Sequence, residues 1–596
     1  MRLPRSLRPG CLLPFALVLL FIQRAKADGD ISKVKHVIII MQENHSFDNY
    51  FGALAYAPGS PYHIKIGGCR KDDHHCVDGL TCRVEKDGNL KCANSNVDDD
   101  GSVVFSFHDP KRCAGPDLNH GWFETHEEVN FLRPNNTLRD PDSDGFVRVN
   151  DATEQKDNGV ESPLEDQTMG FYTQDDIRFY YNLAQTFSVN DRYFASVLGP
   201  TFPNRSYLVA ATSFGHLTTS DTFPLNGGYK PINGTIFDLF DKNGVTWADY
   251  FQDAPQGGAF RPFSATAIDR HFLPLALFLA QAAGAPGLPP LPSVSFVDPN
   301  FGLFGIASEN DEHPPTDIQR GQAYVSKVVN TIRNGPYWQD TVVFITYDEH
   351  GGYYDHASSP AARQGHQRTP DGIFPGQCAD LSNPPSSLLP GGGAECSFNL
   401  LSKTDTTVID AEKLCPELAA NPTGPYPDDC ASFDQLGVRV PLLAVSPFSK
   451  AGYVSHTVGD HSSILAFVEK RFLTIPGAPA NTDDDNEADD FAPSTHLHLT
   501  LRDRFAHTLE DMFDLRPRPE PQHCRSSGPA SGAGLHTQIN ASASFHRCRG
   551  CFPRRSSSSQ ETGRGGSLFL RALFLLFVAK SHLSALPKSR NHPATF

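Results

Sequence analysis

Positive charge is scarce in this sequence: 51 lysines and arginines stand against 68 aspartates and glutamates, a formal net charge of −17 over 596 residues. That balance argues against a nucleic-acid partner, because phosphate backbones require stripes of Lys and Arg. It leaves room for a small phosphate-containing substrate, since a locally bound metal ion reverses the field. Long apolar runs are also missing. The run CLLPFALVLLFI near the N-terminus is short for a membrane span. No internal repeat is present. The thirteen cysteines lack the regular spacing of a zinc site, although His74 and His75 adjoin Cys76.

The short apolar run has a different meaning. Arg2, Arg5 and Arg8 precede it and Ala25-Lys26-Ala27 follows, which predicts a signal peptide over 1–27 and secretion. A signal anchor is the competing reading. Cys11 leaves with the signal, so twelve cysteines remain in the mature chain. Five lie between Cys69 and Cys113, four between Cys378 and Cys430, and Cys524, Cys548 and Cys551 lie in the tail. In an oxidising compartment these read as disulfides that staple loop-rich insertions, placed at about 54–115 and 355–435. An odd group of five requires a bridge elsewhere or a spare thiol. A single domain is expected over 28–515, followed by a Pro-, Ser-, Gly- and Arg-rich tail over 516–596 that is expected to be disordered. Ser556 to Ser559, a spacer and the run Leu568 to Ala579 resemble a lipid-anchor signal, but the polar stretch 580–596 follows, and secretion without an anchor is preferred. Asp483 to Asp490 reads as a solvated acidic loop rather than a calcium site.

Several buried-looking strands end in chemistry. In HVIIIMQENHSFDNYFG, Val37 to Ile40 lack polar alternation, yet Glu43, Asn44 and His45 follow at once. PSVSFVDPN leads toward NDEHPP, TVVFITYDEHGG ends in Asp348, Glu349 and His350, and VPLLAVSP ends in a turn. Such runs predict parallel strands covered on both faces. Between them, Val325, Val328, Val329 and Ile332 share one helical face, with Thr316 and Gln319 as a capping box. Ser293 to Tyr347 is therefore expected to form a βαβ unit, and ligands of open α/β sheets bind beyond the carboxyl ends of the strands.

Glu43-Asn44 and Asp348-Glu349 each follow such a strand. Either pair alone reads as a turn or cap. Together, three buried carboxylates would repel one another unless a divalent cation resolved the conflict, with Asn44 adding a neutral oxygen. Oxygen ligands suit Mg²⁺, Ca²⁺ or Mn²⁺, with zinc and iron still open. In SVLGPTFPNRSYLVAAT, Pro203 suits a first helical turn, so Thr201 stands at a helix N-terminus that favours an anion. A metal at its oxygen would make it a nucleophile, and Arg205 would neutralise phosphate oxygens. A capping threonine in a proline turn is the plainer reading.

QENHSFDNYFG, LGPTFPNR, NDEHPP and TYDEHGGYYDH, in that order over roughly 33–515, resemble the motif series of the phosphoesterase family. This family includes bacterial phosphatidylcholine-hydrolysing phospholipases C, plant non-specific phospholipases C and a bacterial acid phosphatase. The resemblance implies an alkaline-phosphatase-like α/β sandwich with a mostly parallel central sheet, here carrying disulfide-rich insertions. It implies one divalent metal ion on Glu43, Asn44, Thr201, Asp348 and Glu349, with Thr201 as nucleophile. It places site histidines at His120, His313 and His350, with His350 or His313 leading as the acid for the leaving oxygen. Asp460-His461 is a further substrate-binding pair, or simply a helix start. The expected activity is phospholipase C, with phosphatidylcholine giving diacylglycerol and a phosphorylated headgroup through a phosphothreonine, and with membrane-surface contact. An acid phosphatase on soluble monoesters and a non-catalytic binding protein on the same scaffold are the alternatives. Phe51, Phe202, Phe301 and Phe304 would line an apolar groove in the first case. Two sequons, at Asn44 and Asn204, fall inside the motifs; Asn44 is expected to stay unmodified because a glycan there would block the site, and Asn135, Asn233 and Asn540 are better acceptor candidates.

Overall fold

The computed structural model describes residues 29–516, apart from 99–100, 130–142, 151–164, 220–228, 263–269, 363–370, 372–432, 477–493 and positions 114, 116, 218, 304, 306–307 and 434. The expected signal peptide, the second and third cysteine groups, the acidic run and the expected tail from 517 onward lie outside the described residues, as do Asn135, Phe304 and Asn540.

The strands begin with β1 (His36–Gln42), the hairpin strands β2 (Cys82–Val84), β3 (Leu90–Cys92), β4 (Ser95–Val97) and β5 (Val103–Phe105), and the short pair β6 (Phe107–His108) and β7 (Gly170–Phe171). They continue with β8 (Ser188–Asn190), β9 (Trp247–Phe251), β10 (Phe272–Pro274), β11 (Val294–Val297), β12 (Thr341–Tyr347), β13 (Leu442–Val445) and β14 (Tyr453–Ser455). Eight of them form one sheet in the order β10-β9-β11-β1-β12-β13-β8-β14. Every neighbouring pair is parallel except the two made by β13, which runs antiparallel to β12 and β8. The protein is thus mixed α/β with a mostly parallel central sheet.

The lack of alternation in the strand sequences has the expected cause. All seven residues of β12 are buried, as are Val37 to Gln42 in β1, so both faces of the sheet centre are covered. The helix Ile318–Asn334 buries Val325, Val328, Val329 and Ile332 as their spacing predicts. The expected βαβ unit is present as parallel β11 and β12 joined by this helix, with β1 standing between the two strands. One expectation is corrected here. The helix is capped by Asp317, whose carboxylate accepts from Gln319 N, and not by a Thr316–Gln319 box. Thr316 Oγ1 donates instead to His313 O at 2.6 Å, and the Gln319 amide donates to Asp176 O at 2.6 Å.

In the first insertion, disulfides join Cys69 to Cys76 and Cys82 to Cys92. This excludes Cys76 from a zinc site with His74 and His75. Cys113 is also disulfide-bonded, which accounts for the odd fifth cysteine. Behind the sheet's carboxyl edge, Arg439 is fully buried among Asp48, Asp355 and the backbone oxygens of Asp78 and Asp191. His356 Nδ1 adds a 2.6 Å contact to Asp48 Oδ2.

Candidate active site

The pairing of β1 with β12 explains why two separate motifs meet. Gln42 stands opposite Tyr347, so the next residues, Glu43 and Asp348, emerge side by side at the carboxyl edge. Asp348 N donates to Gln42 O at 3.1 Å, and Asn44 N to Asp348 Oδ1 at 3.2 Å. Asn44 adopts a positive φ of 66°, and its side-chain nitrogen lies 3.5 Å from His120 Nε2. Gly351, at φ +64°, lets the second motif close on the first, because a Cβ there would lie 2.4 Å from Asn44 O.

The helix Thr201–Ala210 supplies the third segment. Pro200 precedes it without a side-chain cap, and Thr201 is half-buried at its first position. One turn on, Arg205 reaches Asp348 Oδ2 at 3.0 Å and Glu43 Oε1 at 3.1 Å. Its remaining donors go to Gln256 Oε1 at 2.6 Å and to the carbonyls of Met41 and Gln42. Gln256 N in turn donates to Asp298 Oδ2 at 2.5 Å, and the Arg205 guanidinium lies over the Phe301 ring. Arg205 is therefore clamped between the carboxylates and spends its donors on protein groups. Thr201 lies four residues before Arg205, on the same face of this helix.

Arg205 thus bridges Glu43 and Asp348, while Asn44 N and Glu349 N both donate to Asp348 Oδ1. Burial pushes the Asp348 carboxyl up, Arg205 draws it back, and Glu43 and Glu349 push it up again. Glu349 ends below its usual range: His120 and His350 outweigh the effect of its burial. Two buried oxygens, Asn44 Oδ1 and Glu349 Oε1, have no hydrogen-bond partner. Orphaned acceptors of this kind, in an oxygen set of three carboxylates and an amide, fit a hard divalent cation.

The histidines divide into two kinds. His350 is 1 % exposed, with Nε2 2.7 Å from Glu128 Oε2 and Nδ1 3.4 Å from Glu349 Oε2. Burial lowers its pKa, but Glu128 and Glu349 raise it to about 9. His120 and His313 are more open, their rings 6.4 Å apart, and each lies within 4 Å of Asp117 Oδ1. His120 Nε2 also sits 3.6 Å from Glu349 Oε1. Burial lowers His120, and Glu349 and Asp117 carry it up to about 9. His313 is raised as well, with Asp117 and Glu43 overcoming burial. Asp117, His120 and His313 also form a group able to hold a cation.

Asp460 and His461 lie in the interior. Asp460 caps the helix His461–Phe472 and accepts from Arg502 at 2.9 Å, while His461 is fully buried and touches Asp348 O at 2.7 Å. Of the groove phenylalanines, Phe51, Phe202 and Phe301 are buried. Phe202 joins an aromatic cluster with Phe214, Tyr229 and Phe260. Asn44 and Asn204 are fully buried and Asn233 is exposed.

Three contributors escaped the sequence. Glu128 orients His350, and Gln256 holds Arg205. Glu312, at φ +76°, accepts hydroxyls from Tyr50 (2.6 Å), Tyr180 (2.6 Å) and Tyr347 (2.5 Å), and its carbonyl faces His45 Nε2 at 3.0 Å. Its position beside His313 in NDEHPP was the available signal.

A family model described as the phosphoesterase family matches residues 34–474, spanning all four motifs. The chain belongs to the phosphoesterase family. It is accordingly a hydrolase of phosphoric esters. Among curated relatives of this phosphoesterase, non-specific phospholipase C1 of Arabidopsis thaliana is 28 % identical over 507 residues, covering 83 % of this chain and 74 % of that one. Phospholipase C B of Mycobacterium tuberculosis is 26 % identical over 487 residues, 76 % of each chain. Human ectonucleotide pyrophosphatase/phosphodiesterase 5, a solved structure, aligns at 12 % identity over 48 % of this chain and 87 % of that one, with a TM-score of 0.24.

Proposed function

We propose that the protein is a secreted, metal-dependent phospholipase C that cleaves glycerophospholipids such as phosphatidylcholine into diacylglycerol and a phosphorylated headgroup. The observation that supports this reading is the bridging of Glu43 and Asp348 by Arg205 of the helix that begins at Thr201, with buried, unpartnered oxygens on the adjoining Asn44 and Glu349. The relatives' names favour a phospholipid over a soluble monoester, and the paired cysteines suit an oxidising compartment.

Those four side chains, with Thr201 Oγ1, would hold one divalent cation. When bound, such an ion stabilises charge developing on phosphate oxygens and lowers the pKa of a coordinated hydroxyl. Thr201, having lost its proton to solvent, attacks phosphorus in line, forming a Thr–O–P bond as the bond to the diacylglycerol oxygen breaks. The first-turn amides of its helix face the phosphate charge. The leaving oxygen takes a proton from His313, with His120 beside it. Both are more open than His350, whose two nitrogens are held by Glu128 and Glu349. Water then cleaves the phosphothreonine, returning a proton to Thr201 and releasing the phosphorylated headgroup. Arg205 keeps Glu43 and Asp348 together throughout.

Product analysis of the secreted protein on phosphatidylcholine, and on a chromogenic monoester, tests this. Diacylglycerol release that a chelator abolishes, and that Thr201→Ala lowers by about 10³-fold or more, is expected. Turnover confined to the monoester makes the protein an acid phosphatase, and no turnover on either makes it a binding protein. Equal turnover in Thr201→Ala removes Thr201 from the mechanism.

A further inference from the structure

The mechanism draws on residues directly after β1 and β12, and leaves the residue directly after β11, Asp298 in PSVSFVDPN, without a role. Asp298 is 3 % exposed. On the neighbouring strand β9, the fully buried Asp249 stands opposite Phe296, and Asp298 lies two residues beyond Phe296, so both carboxyls project from one face of the sheet. They hydrogen-bond to each other. Two buried carboxyls in such contact cannot both stay ionised, and a single proton between them resolves the conflict.

One turn joins this pair to the active site. The 3-10 turn Gln256–Ala259 presents consecutive amides: Gln256 N donates to Asp298 Oδ2 at 2.5 Å and Gly257 N to Asp249 Oδ2 at 2.7 Å. A Cβ at Gly257 would lie 2.8 Å from Asp249 Oδ2 and 3.0 Å from the Phe237 ring, so glycine is what permits this close approach. The Gln256 side chain accepts from Arg205 Nη1 at 2.6 Å, and Arg205 bridges Asp348 and Glu43. Asp249 Oδ1 is buried and receives no donor, the place for a hydroxyl that donates to Asp298. Burial drives both carboxyls upward. The Asp249 hydrogen bond, Gln256 N and Arg205 draw Asp298 back, whereas the charge on Asp298 raises Asp249 further and keeps the proton there.

We infer that Asp249 and Asp298 hold one proton between them and act as a positioning pair, fixing the Gln256 turn and, through the Gln256 carboxamide, the guanidinium of Arg205. This rests on the active-site reading given above. A single negative charge on Asp298 gives Gln256 N a charge-assisted acceptor. It also supplies Arg205 with a third carboxylate neighbour after Asp348 and Glu43. An apolar pair would leave two backbone amides without their acceptors. Neither carboxyl transfers a proton in the reaction; both act through Gln256.

The test compares full-length, metal-loaded wild type with Asp298→Asn, Asp249→Asn and Asp249→Ala. Substrates are soluble short-chain phosphatidylcholine and a chromogenic monoester, with thermal melts as the check on folding. Asp298→Asn is expected to lower kcat by about 10²-fold. KM should change little, because what is lost is alignment and not substrate contact. Asp249→Asn replaces the hydroxyl donor by an amide donor and should lose much less than Asp249→Ala, which removes both the donor to Asp298 and the acceptor of Gly257 N. Infrared difference spectra at neutral pH give a readout independent of turnover: a protonated-carboxyl stretch of the wild type should be missing from Asp249→Asn. Lower melting temperatures with kcat intact, equal losses in the two Asp249 variants, or an infrared difference without a protonated carboxyl each overturn the proposal. A wild type that cleaves only the monoester refutes the phospholipase reading and leaves the positioning role standing. A wild type that cleaves neither substrate removes both.

Discussion

Glu312 shows what a single side chain contributes here. Its carboxylate collects hydroxyls from Tyr50 in the first motif, Tyr347 at the end of β12 and Tyr180 in the helix Arg178–Thr186, and the next residue is His313. Glu312→Ala would leave three buried hydroxyls without their acceptor, each costing about 1–3 kcal/mol. A loss of about 3 kcal/mol or more in urea denaturation is expected, with reduced kcat on any phosphoester. An unchanged denaturation midpoint would show that the tyrosines find other partners. At this scale the sequence was legible where chemistry was local. Glu43, Asn44, Asp348 and Glu349 announced themselves as polar residues at the ends of buried strands. Glu312 and Glu128 did not, because what makes them matter is the set of distant side chains that the fold brings to them. Arg205 was read as a phosphate ligand, yet its geometry fixes the two carboxylates.

The helix Thr201–Ala210 acts as a lever, with the nucleophile candidate at one end and a carboxylate clamp one turn away. Arg205→Lys keeps the charge but removes the planar fork that reaches Asp348, Glu43 and Gln256 together. A fall of about 10²-fold in kcat/KM is expected from misplacement of Thr201, checked against a thermal melt. Arg205→Met would leave two buried carboxylates without their cation, at about 3–5 kcal/mol. Strand identity could be read from the unbroken apolar runs, and the helix after NDEHPP from its 3.6-residue period. Strand adjacency could not. The segment from β11 to β12 has the sequence of a simple βαβ unit, but the strand between them comes from the start of the domain, and no local pattern encodes that. The helix cap moved by one residue for a similar reason: Thr316 and Gln319 had partners elsewhere.

At the scale of the whole molecule, two motifs each serve twice. Their leading halves supply Glu43-Asn44 and Asp348-Glu349. Their trailing halves supply Asp48, Asp355 and His356, which enclose Arg439. Burial lowers the His356 pKa, but Asp48 raises it to about 10. Because the folded value lies above the ordinary 6.5, the stabilisation is complete below about pH 6.5 and is lost as pH rises toward 10. The melting temperature should therefore fall across that window, and His356→Gln should melt lower at pH 6 with a shallower decline. A parallel decline in both proteins would place the loss elsewhere. The position of β1 has a consequence for biogenesis. Val37 must wait for Val294 on one side and Val342 on the other. At about 5–20 residues per second, a growing polypeptide carries HVIIIM with both edges bare for tens of seconds. That hexamer has the composition of a segment prone to cross-β stacking. The molecule is thus most vulnerable while it leaves the ribosome, and chaperone supply, more than the strength of the finished sheet, should govern its yield.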